Sequence, residues 1–176
     1  TTSYTVTVTS AAGCSATVSA TQTVNPLPTP SVGNNGPICA GLTLNLTSGG
    51  GNSYSWSGPG GFSNNTQNPT IPNATVANSG IYTVTITSAA GCSITATTNV
   101  TINPLPVPTA NNNGPLCPTN TLNLSSTGGG TYQWVGPNSF SSTSQNPSIA
   151  NITVANAGTY TVTVTSAAGC TASTST

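Results

Sequence analysis

Residues 78–87 read Asn78-Ser79-Gly80-Ile81-Tyr82-Thr83-Val84-Thr85-Ile86-Thr87, and this stretch decides the fold class. From Tyr82 onward an apolar side chain occupies every second position and a threonine fills each gap. A period of two puts the apolar side chains on one face and the hydroxyls on the other, the pattern of a half-buried antiparallel strand. Threonine suits that role because its branched Cβ packs well on a pleated surface. The same alternation runs through Leu42-Thr43-Leu44-Asn45-Leu46-Thr47 and from Ile94 to Ile102. Gly, Pro and Asn clusters separate these runs, and no segment shows a helical period. Short strands with frequent turns predict an all-β protein built of small antiparallel β-sandwiches.

Working outward, the stretch recurs. Ser-Ala-Ala-Gly-Cys ends at Cys14, Cys92 and Cys170, a spacing of 78 residues each time. Asn25-Pro26-Leu27-Pro28 returns as Asn103-Pro104-Leu105-Pro106, and Gly36-Pro37-Ile38-Cys39 as Gly114-Pro115-Leu116-Cys117. Trp56 matches Trp134, Phe62 matches Phe140, and Tyr4, Tyr82 and Tyr160 are equivalent. A fixed period marks a modular array. The expected organisation is the last two strands of a truncated module over 1–27, a complete module over 28–105, and a module lacking most of its final strand over 106–176. These limits point to a window on a longer polypeptide, or to ends that complete a neighbouring subunit by strand addition.

Composition excludes whole classes of chemistry. The 176 residues include no Lys, Arg, Asp, Glu or His, where an average soluble domain is about 25% charged. General acid–base catalysis needs a group that exchanges a proton near working pH, and a serine nucleophile needs a base beside it. Hard cations want carboxylates, and nucleic-acid binding rests on Lys and Arg against phosphates. The glycine run at Ser48-Gly49-Gly50-Gly51-Asn52 lacks the lysine of a phosphate loop and reads as a turn. No catalytic residue, cofactor site, metal site or nucleic-acid partner is therefore expected. A 34% apolar content is low and by itself would suit disorder, but the zero net charge and strict patterning argue otherwise. No apolar run is long enough to insert in a membrane as a helix. Sequons at Asn45, Asn64, Asn73, Asn99, Asn123 and Asn151 read as a by-product of an Asn- and Thr-rich composition.

Several linked motifs carry a resemblance. Asn78-Ser79-Gly80-Ile81-Tyr82 and Asn156-Ala157-Gly158-Thr159-Tyr160 look like the tyrosine corner of immunoglobulin-like domains, and Tyr54-Ser55-Trp56 looks like the strand with the core tryptophan. With Cys39-Ala40-Gly41, Gln67-Asn68-Pro69 and Gly91-Cys92, the chain resembles the immunoglobulin-like and PKD-like tandem repeats of large secreted, adhesin-type surface proteins of Bacteroidota. The second module departs at Cys117-Pro118-Thr119, which lacks the glycine. The resemblance implies tandem immunoglobulin-like sandwiches, secretion, and display outside the cell. It also implies that Trp56, Tyr82, Trp134 and Tyr160 are core residues, although an exposed aromatic would alternatively suit sugar stacking.

Five cysteines in such a chain suggest disulfides and an oxidising compartment. No Cys-x-x-Cys pair or histidine supports a metal. In the implied topology Cys39 precedes the second strand of its module, and Cys92 follows the turn between the last two. Those places lie at opposite ends of a sandwich, roughly 20 Å or more apart, whereas bridged Cα atoms approach within about 7 Å. End-to-end stacking pairs Cys39 with Cys170 across a module boundary and leaves Cys14, Cys92 and Cys117 for partners elsewhere. The other pairing is Cys39 with Cys92 and Cys117 with Cys170, within modules. Both remain open from sequence.

The functional expectation is a structural or adhesive extracellular fibre or surface array. Proline-rich joints are semi-rigid, edges without Lys or Glu do little to discourage strand pairing, and zero net charge promotes association. Self-association into a filament is the expected partner relation. The alternative is an adhesin module that binds a surface glycan or protein through loops such as Ser57-Gly58-Pro59-Gly60-Gly61-Phe62. Thr-x-Thr rows would also suit an ice-binding face, but outward threonines on any strand give that pattern. A lysine-dependent isopeptide is impossible without lysine.

Overall fold

The structure, a computed structural model, describes all 176 residues. It is all strand and turn; the only helical elements are three-residue 3-10 turns at Pro59–Gly61, Val76–Asn78 and Val154–Asn156. By compactness the chain divides into two units. The first holds Thr1–Gly33, Leu46–Pro69 and Tyr82–Thr98, and the second holds Asn34–Asn45, Thr70–Ile81 and Asn99–Thr176. This division runs through the 28–105 repeat rather than around it.

In the second unit, a four-stranded sheet has the order Phe140–Ser142, Thr131–Gly136, Thr161–Thr165, Thr171–Ser175. A three-stranded sheet has the order Thr109–Asn112, Leu122–Thr127, Ser148–Ile149. All these pairs are antiparallel, with Trp134 opposite Val162 and Thr163 opposite Ser173. Alternation does the sorting: in Leu122–Thr127 every second residue is buried. Leu122, Leu124, Trp134, Tyr160, Val162 and Val164 form one core cluster, flanked by Leu116, Phe140 and Ile152. Phe140 meets Tyr160 edge-on with ring centroids 5.6 Å apart.

The elements of residues 31–100 follow the same order. Leu44–Gly49, Ser53–Gly58 and Phe62–Asn64 repeat the burial patterns of their counterparts 78 residues later almost position for position. In the first unit Trp56 stands opposite Val84, Phe62 meets Tyr82 edge-on at 5.5 Å, and Leu46, Trp56, Tyr82, Val84 and Ile86 are buried. The same unit contains the hairpin of Thr2–Thr9 with Ser15–Gln22, in register from Thr2 opposite Gln22 to Thr9 opposite Ser15.

Two strand expectations shift. Leu42 is not a strand residue: its N–H donates to the Cys39 carbonyl in a turn and its side chain is exposed, so the strand starts at Leu44 and its third inward position is Ser48. The run from Ile94 to Ile102 breaks after Val100, and Ile102–Asn103 then pairs in parallel with Ile38–Cys39.

Candidate functional site

The most constrained local feature is the disulfide, and each half is positioned by sequence. Cys170 ends the turn Ser166-Ala167-Ala168-Gly169-Cys170. There the Ser166 N–H donates to the Cys170 carbonyl (2.8 Å), the Gly169 N–H donates to the Ser166 carbonyl (2.9 Å), and the Ser166 hydroxyl accepts from the Cys170 N–H (3.1 Å). Gly169 sits at φ +80°, which only glycine adopts without steric cost. The same bonds close the turns at Ser10–Cys14 and Ser88–Cys92, so the motif is a rigid cysteine presenter wherever it occurs. Cys39 lies on the two-residue strand Ile38–Cys39, held by Ile38 N–H to the Thr101 carbonyl (3.1 Å) and Ala40 N–H to the Asn103 carbonyl (2.8 Å). Beyond it, the Gly41 N–H donates to the Ala74 carbonyl and the Ala74 N–H to the Leu42 carbonyl.

Cys39 and Cys170, both in the second unit, are joined with Cα atoms 5.6 Å apart and a sequence separation of 131. The half-cystine Cys170 is 1% exposed. The alternative pairing, Cys39 with Cys92 and Cys117 with Cys170, is not formed. A sulfur has one disulfide partner, and Cys39 and Cys170 occupy each other. Cys92 is a free thiol directed at the Asn25 carbonyl, 3.7 Å away. Cys14 and Cys117 are free and exposed.

The departure at Thr119 has a visible cost. Gly41 has φ +89°, and Thr119 holds the same loop at φ +70°, where a β-branched residue is strongly disfavoured. Its N–H donates to the Ile152 carbonyl as that of Gly41 does to Ala74. Thr119→Gly is expected to raise unfolding free energy by about 0.5–1 kcal/mol, strain relief outweighing the added freedom of the unfolded chain; denaturant titration measures it.

The aromatic residues singled out from sequence are interior. Trp56, Tyr82, Trp134 and Tyr160 are all buried. The indole N–H of Trp56 donates to the Gln67 carbonyl and that of Trp134 to the Gln145 carbonyl, both at 3.3 Å. The side-chain amides of Gln67 and Gln145 donate in turn to the carbonyls of Ser48 and Ser126, both at 2.8 Å. The Gln-Asn-Pro motif thus serves the tryptophan. In the loop 57–62 the one aromatic, Phe62, is half-buried and meets Tyr82 edge-on. The Tyr160 hydroxyl donates to the Asn156 carbonyl at 2.8 Å, closing a tyrosine corner.

The outward threonines pair with each other's neighbours. Thr5 bonds Ser19 (2.9 Å), Thr87 bonds Ser93 (2.9 Å) and Thr163 bonds Ser173 (2.8 Å), as cross-strand hydroxyl rungs. The hairpin at 2–22 differs from its counterparts: Tyr4, Val6, Val8 and Val18 share one exposed face, although the equivalents Tyr82, Val84 and Ile86 are buried. No group of metal-ligating side chains is present, and no helix is long and apolar enough to cross a membrane.

Burial raises the hydroxyl pKa of Tyr82 and Tyr160 above 10.0. In the unfolded chain tyrosine ionises near pH 10, so above that pH the unfolded state sheds protons first. The stabilising contribution is whole below about pH 10 and is lost as pH climbs through the raised native values. At the acid end there is no side-chain carboxylate to protonate and no histidine to charge. Denaturant midpoints are expected to stay level from about pH 2 to 7 and to fall above about pH 10. A midpoint that drops on acidification would contradict this.

Among known proteins, no family model and no curated protein matches the chain. Solved structures do. The N-terminal eight immunoglobulin domains of Down Syndrome Cell Adhesion Molecule, isoform 1.30.30, align over 99% of this chain and 30% of that one, at 20% identity and a TM-score of 0.59. The fold is immunoglobulin-like. Two further matches have lower TM-scores. The three N-terminal domains of the bacteriophage RB49 Highly Immunogenic Outer Capsid protein align over 85% of this chain and 58% of that one, at 24% identity and a TM-score of 0.46. A structure concerning host cell surface retention of a 1.5-MDa bacterial ice-binding adhesin aligns over 98% and 71%, at 16% identity and a TM-score of 0.44. The immunoglobulin-like chain thus spans about a third of the adhesion-molecule structure and little more than half of the capsid-protein one.

Proposed function

We propose that this chain is a segment of an uncharged extracellular fibre or surface array, structural or adhesive, with no catalysis. The observation that carries the reading is the Cys39–Cys170 bond. It ties the Cys-x-Gly loop of the repeat at 28–105 to the Gly-Cys turn of the repeat at 106–176. A covalent staple across a repeat boundary resists being pulled apart, and it persists in an oxidising compartment. Proline-rich joints at 25–30 and 103–108 limit bending there. With no charge to repel like surfaces, hydroxyl-faced sheets can pack side by side with little response to salt. The motif likeness to repeats of secreted Bacteroidota surface proteins agrees with display outside the cell.

Electron microscopy of purified protein over a wide concentration range tests the reading. Ordered filaments or lateral arrays are expected, unchanged between about 0.05 and 1 M salt, a range over which the screening length falls severalfold. Only isolated monomers at every concentration would overturn it. Saturable capture of a single glycan by dispersed protein would instead favour an adhesin module of the binding kind.

A further inference from the structure

Only two Asn-Gly pairs occur in the chain, Asn35-Gly36 and Asn113-Gly114, and they occupy equivalent places in the two repeats. Asn-Gly is the dipeptide most prone to modify itself, because no Cβ shields the glycine nitrogen from the preceding carboxamide. The fold demands the glycine all the same. The Gly36 N–H donates to Asn34 Oδ1 at 2.7 Å, and a Cβ on Gly36 would lie 2.7 Å from that same oxygen. The Gly114 N–H donates to Asn112 Oδ1 at 2.7 Å, and a Cβ there would lie 2.9 Å from it. The asparagine side chain is held as well. Asn35 Nδ2 donates to the Thr43 carbonyl (3.1 Å), and its Oδ1 accepts from the Asn45 N–H (2.8 Å). Asn113 Nδ2 donates to the Thr121 carbonyl (3.2 Å), and its Oδ1 accepts from the Asn123 N–H (2.8 Å). Each carboxamide thus stands in for a main-chain rung at the start of the strands Leu44–Gly49 and Leu122–Thr127.

We propose that Asn35 and Asn113 are fold-gated deamidation sites, kept intact by this clamp and converted to carboxylates once it opens. In the reaction the Gly36 nitrogen attacks Cγ of Asn35 and an N–C bond forms. The carboxamide nitrogen leaves as ammonia, carrying the proton that the glycine nitrogen gives up. Water then opens the succinimide ring at either carbonyl, giving aspartate or isoaspartate. The clamp opposes the first step twice, since the attacking N–H is tied to Asn34 and the carboxamide is tied to the strand. The product does not reclose it. A carboxylate only accepts hydrogen bonds, so it sets an oxygen against the Thr43 carbonyl where the amide set a donor. Each event also gives a negative side chain to a chain that has none. The change therefore marks any repeat whose clamp has opened, whether or not the chain assembles into a fibre.

The test is to incubate the protein in mildly alkaline buffer, folded or in denaturant, and to quantify aspartate and isoaspartate at each asparagine by peptide mass spectrometry. In denaturant, positions 35 and 113 are expected to convert ahead of every other asparagine. In folded protein they should convert roughly thirtyfold more slowly, the worth of two hydrogen bonds that must open first. Asn34→Ala, which releases the Gly36 N–H, should speed conversion of Asn35 severalfold and leave Asn113 unchanged, in protein shown to be folded by circular dichroism. Asn35→Asp imitates the product. Its denaturant midpoint should match the parent protein near about pH 2, where a protonated carboxyl still donates to Thr43. It should then fall as pH climbs through about 4 and the carboxylate forms, for the chain has no Lys, Arg or His to answer that charge. Equal rates in folded and denatured protein, equal acceleration at both sites by Asn34→Ala, or an Asn35→Asp midpoint indifferent to pH would overturn the proposal.

Discussion

Replacing Cys39 or Cys170 with serine is expected to lower unfolding free energy by about 3–5 kcal/mol. The bond closes a loop with a sequence separation of 131, and chain-entropy arithmetic for a loop of that size gives about 5 kcal/mol, the upper end of what native disulfides contribute. Cys170 is also an interior side chain, so serine there leaves a hydroxyl where a sulfur was buried. Because one bond is lost whichever end is changed, the double variant should be little worse than either single one, a strong departure from additivity. Reductant on the unsubstituted protein should reproduce most of the loss. Cys14→Ser and Cys117→Ser, at exposed free thiols, should stay within about 0.5 kcal/mol. Denaturant titration of this small set separates the staple from a generic effect of removing sulfur.

Trp134→Ala is expected to cost about 3–5 kcal/mol. The indole is fully enclosed by Leu122, Leu124, Tyr160, Val162 and Val164, so truncation loses the burial of the largest side chain and leaves a cavity the sheets cannot collapse into. It also removes the N–H that the Gln145 carbonyl accepts. Trp134→Phe keeps most of the volume and loses that bond, and a cost of about 1–2 kcal/mol is expected. Trp56→Ala should behave alike. If either ring served as a sugar platform, its truncation would leave stability nearly unchanged and abolish binding instead. Thermal or denaturant unfolding decides between the two.

Where the sequence is periodic it is legible, because burial of one strand face enforces alternation. Tyr82, Val84 and Ile86, and again Tyr160, Val162 and Val164, are interior for the reason their spacing implies. The Gly-Cys turn is legible too, since a glycine at positive φ and a serine that caps its own turn leave few other conformations. Leu42 is less legible. Its alternation with Leu44 continues the strand pattern, but Gly41 at φ +89° turns the chain just before it, and the turn wins over the pattern. The break between Val100 and Ile102 left no local trace either, because both side chains remain buried while the backbone changes partner to Ile38–Cys39. Disulfide choice is a long-range matter: spacing alone leaves two pairings open, and in the structure Cys39, on the strand beside Asn103, is joined to Cys170 on its turn.

Non-reducing peptide mapping tests most directly the claim that successive repeats are stapled together. The chain has no Lys or Arg for trypsin, so chymotrypsin or thermolysin must supply the cuts at its aromatic and aliphatic residues. A disulfide-linked pair of peptides carrying Cys39 and Cys170 is the predicted result, with Cys14, Cys92 and Cys117 recovered as thiols from monomeric protein. A pair joining Cys39 to Cys92, or Cys117 to Cys170, would contradict it and confine each bridge within its own repeat.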